Sequence, residues 1–258
     1  MRDPGPNYAI DTAGGVAQLA HKIGVAQPSA SNWNRVPAQR VIAIEAATGA
    51  SHKQLRSDLS SEPAVKDDAV DPVDAARAQE YALLAALLWS APSNELLGEI
   101  ARLRGDATPL GRAHAALAEA ASETAAEIER EYFDLFVGLG RGELLPYGSY
   151  YLTGFLNERP LSRLRDDLAA LGIERVEKNF EPEDHAATLC EIMAGLAGRR
   201  FPASAEMQRR FFEKHVASWM GRLFADMETA ASAKFYRSVG SLGRLFLKIE
   251  TEAFTFAN

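Results

Sequence analysis

The chain has 258 residues, 47% of them hydrophobic and 24% charged, which gives enough apolar side chain for one or two packed domains and too much for a disordered chain. A single cysteine, Cys190, excludes an internal disulfide framework and a cysteine-rich metal site. The formal net charge of −7 is unevenly spread: residues 1–60 hold six basic and four acidic side chains while the remainder is acidic, a pattern expected of two modules with different partners.

No window approaches the roughly 18–20 consecutive apolar residues that a membrane span needs. The opening MRDPGPNYAIDTAGG carries acids and prolines and no apolar run of signal-peptide length. The expectation is a cytoplasmic protein with no membrane insertion.

Residues 1–59 form the first predicted module. Leu19 and Ala20 are followed by Ile23, Gly24 and Val25, then by Ala30 and Trp33. Small Ala20 lets a second helix pack close to the first, Gly24 supplies the turn, and Ile23, Val25, Ala30 and Trp33 close the shared core. Pro28 falls in the first turn of the second helix, where a missing N–H is tolerated. That helix presents Gln27, Ser29, Ser31 and Asn32, and Gln or Asn pairs bidentately with adenine in a major groove. With the following VPAQRVIAIEAATGASHKQLRSDL, the segment Ala13–Leu59 resembles a Cro-type helix-turn-helix of the YdaS-like variety. It departs from that pattern at the shortened turn Asn34-Arg35-Val36 and at Arg56-Ser57-Asp58. Two readings stay open: a DNA-binding module, dimeric so as to gather enough contacts, or a helical hairpin that binds no DNA, since a surplus of two positive charges is small for a duplex.

Residues 60–74 read as a linker, because SSEPAVKDDAVDP combines two prolines and four acids with little apolar periodicity. From residue 75 to 258 the periodicity is helical. Ala76, Tyr81, Leu84, Leu87 and Leu88 mark a stripe over Val73–Leu88. Leu117, Ala121, Ala125, Ile128, Tyr132, Leu135 and Phe136 mark another along a predicted helix Gly111–Val137. Further helices are predicted at Pro160–Leu171, Glu183–Ala197, Ala203–Thr229 and Ala231–Phe254. No stretch alternates as a strand does. The fold class is all-α, a small helix-turn-helix domain followed by a larger helical bundle. Gly138-Leu-Gly-Arg-Gly142 ends a helix; with no preceding strand and no Lys-Ser/Thr after it, it is not a phosphate loop.

Three patches of the second module carry chemistry. The first runs Glu131-Tyr-Phe-Asp-Leu-Phe136, Gly138, Gly140 and Pro146-Tyr-Gly-Ser-Tyr-Tyr151. The second is Phe180-Glu-Pro-Glu-Asp-His185, leading into AATLCEIM. The third is Phe211-Phe-Glu-Lys-His215 with Trp219 and Phe235-Tyr236. In the second patch, Pro182 suits the first position of a helix, and Glu183 and Asp184 suit its first turn. Taken singly, each patch reads as local structure: a helix start, or an aromatic corner on the core.

In order and spacing together, over Ala75–Phe254, the patches resemble the TorD/DmsD/NarJ family of redox-enzyme maturation chaperones. Leu145 and Ala186 stand where the family often has Pro and Leu. The resemblance implies a chaperone, not an enzyme, that binds the twin-arginine signal peptide of a molybdoenzyme catalytic subunit and assists cofactor insertion before export. It puts Tyr147, Ser149, Tyr151, Glu181, Asp184 and His185 at the peptide site, as contacts or as braces. The alternative is a transcription regulator that uses this module as a sensor.

Catalytic and metal readings are weaker. Asp184 and His185, taken as helix neighbours, point about 100° apart, so Asp184 does not orient His185 for Ser149. His21, His52, His114, His185 and His215 lack ligand spacing. His215 reads as a core or surface histidine and Cys190 as a small hydrophobe. No metal or cofactor is expected.

Overall fold

A computed structural model describes residues 4–23, 36, 38–50, 55, 70–173 and 181–256. The chain divides into two compact units, residues 1–69 and 70–258. Among the described residues the secondary structure is helical, with no strand beyond one isolated bridge, Tyr147 to His185.

The first unit holds α1 (Pro4–Ala13), α2 (Val16–Lys22) and α3 (Ala38–Thr48). The turn between α1 and α2 needs glycine: Gly14 and Gly15 adopt φ of 88° and 127°. Ala9, Leu19, Val36, Ile44 and Leu55 are fully buried and form its core with Ile23 and Val41. Ala20 is buried, as close packing by a small residue requires. The predicted turn at Gly24, Val25, Ala30 and Trp33, and the candidate DNA-reading residues Gln27, Ser29, Ser31 and Asn32, lie outside the described residues.

The second unit begins with α4 (Pro72–Trp89), whose first turn is closed by the Asp71 side chain accepting the Val73 N–H at 2.8 Å. The acid and proline at the end of the linker-like stretch are thus a helix start. Tyr81, Leu84, Leu87 and Leu88 face the core, while Ala76 of the same predicted stripe is exposed. Ser93 caps α5 (Asn94–Ile100), and Thr108 with Pro109 starts α6 (Pro109–Ala120).

The single helix predicted over Gly111–Val137 is two helices. α6 stops at Ala120, and α7 (Ala125–Tyr132) starts afresh at a capping box between Thr124 and Glu127. α7 continues as a π-helical turn, Phe133–Val137, ended by Gly138 at φ 62°. Apolar period alone does not register this break, because the stripe Leu117, Ile128, Leu135 runs through both helices. A short helix, α8 (Gly148–Thr153), precedes α9 (Arg159–Ala170).

α10 (Ala186–Ala197) starts three residues later than predicted, so Pro182, Glu183 and Asp184 precede it and His185 is its N-cap. The predicted helix Ala203–Thr229 is interrupted: α11 (Ala205–Phe211) runs into a π-helical stretch, Phe212–Ala217, and α12 (Met220–Thr229) follows after Ser218 and Trp219. α13 (Phe235–Phe256) closes the chain.

α10 packs along α4 and α13 along α12. The second pair approaches closely because Gly240 lies under the Phe224 carbonyl, where a Cβ would come within 2.7 Å of its oxygen. Trp219, Tyr81, Tyr236, Phe212, Phe224 and Phe235 are the largest fully buried side chains. Arg77 of α4 forks onto Glu250 of α13 at 2.7 and 2.8 Å, and the Tyr81 hydroxyl donates to the same carboxylate at 3.0 Å. Cys190 is buried among apolar neighbours.

Candidate functional site: a β-bridge with two faces

The first two motif patches meet at the isolated antiparallel bridge. Gly148 N–H donates to the Asp184 carbonyl at 2.9 Å, and Ala186 N–H donates to the Pro146 carbonyl at 2.8 Å. Tyr147 and His185, far apart in sequence, are thereby held against each other in extended backbone, each just before a helix. Asp184 lies in the turn before the bridge and lines a different pocket from the one that Trp89 lines, so it is separated from His185, but not by the helix rotation that the sequence suggested.

On one face stand Tyr147 and His185, their rings 5.0 Å apart and nearly perpendicular. The Tyr147 hydroxyl donates to Glu181 Oε2 at 2.6 Å. Burial, then the Glu181 carboxylate, pushes the Tyr147 phenol above its ordinary range. His185 Nδ1 accepts the Ala187 N–H at 3.1 Å as the cap of α10, which leaves the ring proton on Nε2. Burial pushes the His185 imidazole down to about 4, against the pull of Glu181 and Asp184. Trp89, 47% exposed at the end of α4, meets the His185 ring edge at 6.1 Å. The Tyr132 hydroxyl holds the Trp89 carbonyl at 2.9 Å.

Trp89, at the edge of this face, also lines a groove between α4 and α10. The floor of the groove is made of small residues, among them Ala78, Ala82 and Ala86 on one side and Ala187, Ala194 and Gly198 on the other. The groove encloses about 1620 Å³, counting the space open to solvent.

The other face carries Asp184, which is buried. Its Oδ2 accepts the Ser149 N–H at 2.6 Å, so the carboxylate holds the first turn of α8. Ser149 is fully buried and its hydroxyl has no hydrogen-bond partner among the described residues. Tyr151 packs on Trp219 with rings 5.4 Å apart and donates to Asp226 at 2.9 Å. The structure therefore brings Tyr147, Glu181 and His185 together on one side of the bridge and Asp184 with Ser149 on the other, with Tyr151 packed on Trp219.

A Ser-His-Asp hydrolase does not assemble. His185 Nδ1 is spent on the helix cap, and Asp184 on the Ser149 backbone. His215 is buried; burial lowers its pKa against the pull of Asp167, to which it is hydrogen-bonded. Among the described residues no group of three or more His, Cys, Asp or Glu is arranged to hold a metal ion. Among them, too, no helix is long and apolar enough to cross a membrane.

Sequence reasoning missed the work of two glutamates and one tryptophan. Glu131 accepts the N–H groups of Lys234, Phe235 and Tyr236, and Glu143 accepts those of Ala231 and Ser232. Glu131 was visible in the first patch, but the helix end that it caps begins about a hundred residues later. Trp89, flanked by Leu88 and Ser90, carried no local signal.

Residues 103–225 match the family described as nitrate reductase delta subunit, and residues 7–64 match the family described as bacterial toxin YdaS. Both resemblances read from the motifs are thus borne out. Curated relatives include a chaperone protein TorD of Vibrio atlanticus, 26% identical over 136 residues, which are 49% of this chain and 63% of the relative. A TorD of Vibrio cholerae is 33% identical over 104 residues, or 36% of this chain and 47% of the relative. The matches thus span less than two thirds of these relatives' own length. A solved structure described as a putative redox enzyme maturation protein from Archaeoglobus fulgidus aligns with a TM-score of 0.43 and 20% identity, covering 66% of this chain and 93% of that one.

Proposed function

We propose that this chain, similar along its second unit to the TorD chaperones and the nitrate reductase delta subunit family, is a chaperone for the maturation of a molybdopterin-containing oxidoreductase and not an enzyme. It acts in the cytoplasm, holds the twin-arginine signal peptide of the catalytic subunit, and assists cofactor insertion before export. The observation that carries this reading is the cluster of Tyr147, Glu181 and His185 beside the α4–α10 groove.

A twin-arginine peptide offers guanidinium groups next to an apolar stretch. Carboxylates bind the first by charge-assisted hydrogen bonds, and a groove between helices binds the second. Glu181 is exposed beside Tyr147. The α4 side of the groove runs from Ala78 to Trp89, about 16 Å by helix rise, which accommodates some three turns of an apolar helix. In this reading Tyr147, Glu181, His185 and Trp89 touch the peptide, while Ser149, Tyr151 and Asp184 hold the loop that presents them. Titration of the full chain with a twin-arginine signal peptide is expected to saturate, and to weaken when the arginine pair becomes Lys-Lys. Equal binding of both peptides, or none, removes the reading.

The YdaS-like match favours a second role. The first unit, through Gln27, Ser29, Ser31 and Asn32, binds DNA as a homodimer, and the second unit serves as its sensor. DNA affinity is then expected to fall with salt at a slope of about −0.9 per phosphate contacted, and to change on Asn32→Ala. No footprint and a flat salt response remove it, and equal DNA affinity with and without signal peptide removes the sensor link.

A further inference from the structure

The α4–α10 groove carries charge in an order that the peptide reading leaves unused. α4 and α10 run antiparallel along it. The Trp89 ring meets His185 at the start of α10. Ala78 lies against Gly198 at the other end, where an added Cβ would come within 3.4 Å of the Ala78 Cβ. Among the described residues that line the groove two are charged, Glu191 and Arg200, both exposed and both on the α10 side.

Arg200 is held in place by its surroundings. The chain turns back after α10 through Arg199 at φ 56°, a left-handed conformation that is costly for a residue other than glycine. Phe201 then packs on Gly195, where a Cβ would lie 2.4 Å from its ring. The Arg200 guanidinium sits 5.3 Å over that ring and donates to the Glu191 carbonyl at 3.3 Å. α10 ends at Ala197, so this carbonyl is not among the last four that a helix end leaves unpaired, and capping does not account for the contact. The Glu191 carboxylate has no hydrogen bond or ion pair among the described residues. Helix side chains lean toward the N-terminus and carbonyls point toward the C-terminus. The carboxylate therefore stands nearer the Trp89 end and the guanidinium nearer the Gly198 end.

We propose that Glu191 and Arg200 give the groove a direction: it takes an apolar helix with its N-terminus at Trp89 and its C-terminus toward Gly198. This rests on the signal-peptide reading and adds the orientation and charge of the peptide held. Starting from Glu181, beside the Trp89 end, the order of charge is anion, anion, cation. The free amides of a helix's first turn are positive and its last carbonyls negative, and a twin-arginine peptide carries its arginines ahead of the apolar stretch. Both match the groove in this direction and both oppose it in reverse. The favoured peptide has an acid, rather than a lysine, after about eleven apolar residues, the length of the groove by helix rise.

The test titrates the full chain, in dilute buffer, with two synthetic peptides. Each has an arginine pair followed by about eleven leucines and alanines; one closes with two aspartates and the other with two lysines. The aspartate peptide is expected to bind about threefold more tightly or better, as an exposed ion pair allows, and Arg200→Glu to invert the preference. A nitroxide beside the arginine pair is expected to quench tryptophan fluorescence more than one at the far end, a difference that Trp89→Phe abolishes. If circular dichroism shows that Arg200→Glu does not fold, Arg200→Gln, expected to erase the preference, decides with the quenching. Equal binding of the two peptides, a preference that the Arg200 variants leave unchanged, or stronger quenching from the far end overturns the direction while the peptide reading stands. Failure of both peptides to bind removes that reading and the direction with it.

Discussion

The Glu131 carboxylate accepts the backbone N–H of Tyr236 at 2.7 Å, and with it those of Lys234 at 2.8 Å and Phe235 at 3.1 Å. One buried anion on α7 thus satisfies three donors at the start of α13, where amides are orphaned and the helix dipole favours negative charge. Glu131→Ala is expected to cost about 2–3 kcal/mol of stability, the range for hydrogen bonds to a charged group. Urea midpoints of the two proteins measure it. Glu131→Gln, which keeps one acceptor oxygen and loses the charge, should fall between them.

The Arg77–Glu250 pair joins the first and last helices of the second unit. Glu250 is 1% exposed, so removing its partner leaves a buried charge with Tyr81 as its remaining partner. Arg77→Met is expected to destabilise by about 3–5 kcal/mol. The double variant Arg77→Met, Glu250→Leu should recover much of that loss, and a denaturation cycle over the four proteins reads the coupling.

His185 makes stability depend on pH. Its folded pKa of about 4 lies below the ordinary 6.5 because burial disfavours the imidazolium. Between these values the unfolded chain binds the proton and the folded chain does not, so stability is full above about pH 6.5 and falls as pH drops toward 4. The loss attributable to this residue approaches roughly 3 kcal/mol at the lower end. His185→Asn, which keeps a capping side chain without the titration, should flatten the curve of urea midpoint against pH over that window. His215, also held below its ordinary value by burial, leaves a residual slope.

Tyr147→Phe removes the hydrogen bond to Glu181 while keeping the ring on His185. Because Glu181 is exposed, stability is expected to change by less than about 1 kcal/mol. On the chaperone reading, Tyr147→Ala weakens signal-peptide affinity by about tenfold or more, as loss of an aromatic anchor does, and Tyr147→Phe by less. Fluorescence anisotropy of a labelled peptide separates the two.

The helical class was legible because α4, α10 and α13 carry apolar residues at three- and four-residue steps, a local property. The break between α6 and α7 was less so: Thr124 and Glu127 form the capping box, but the apolar stripe passes through unbroken. The motif around His185 misled for a related reason. Pro-Glu-Asp has the composition of a helix start, yet the backbone of this stretch is claimed by Pro146 and Gly148, which no nearby residue announces. The same holds for Trp89, whose role comes from the ring of a histidine on another helix. Order and spacing of the motifs revealed a resemblance to a family, but which residues meet across the bridge required the backbone pairing.

That pairing is small. In a unit otherwise held by helix packing, Tyr147 is registered against His185 by two main-chain hydrogen bonds, from the amides of Gly148 and Ala186, beside the side-chain bonds of Glu181 and Asp184. Opening those two bonds breaks no helix, so local opening of this junction is expected to cost less free energy than unfolding the unit. Amide exchange at Gly148 and Ala186 faster than in the helices is where that difference would first be visible.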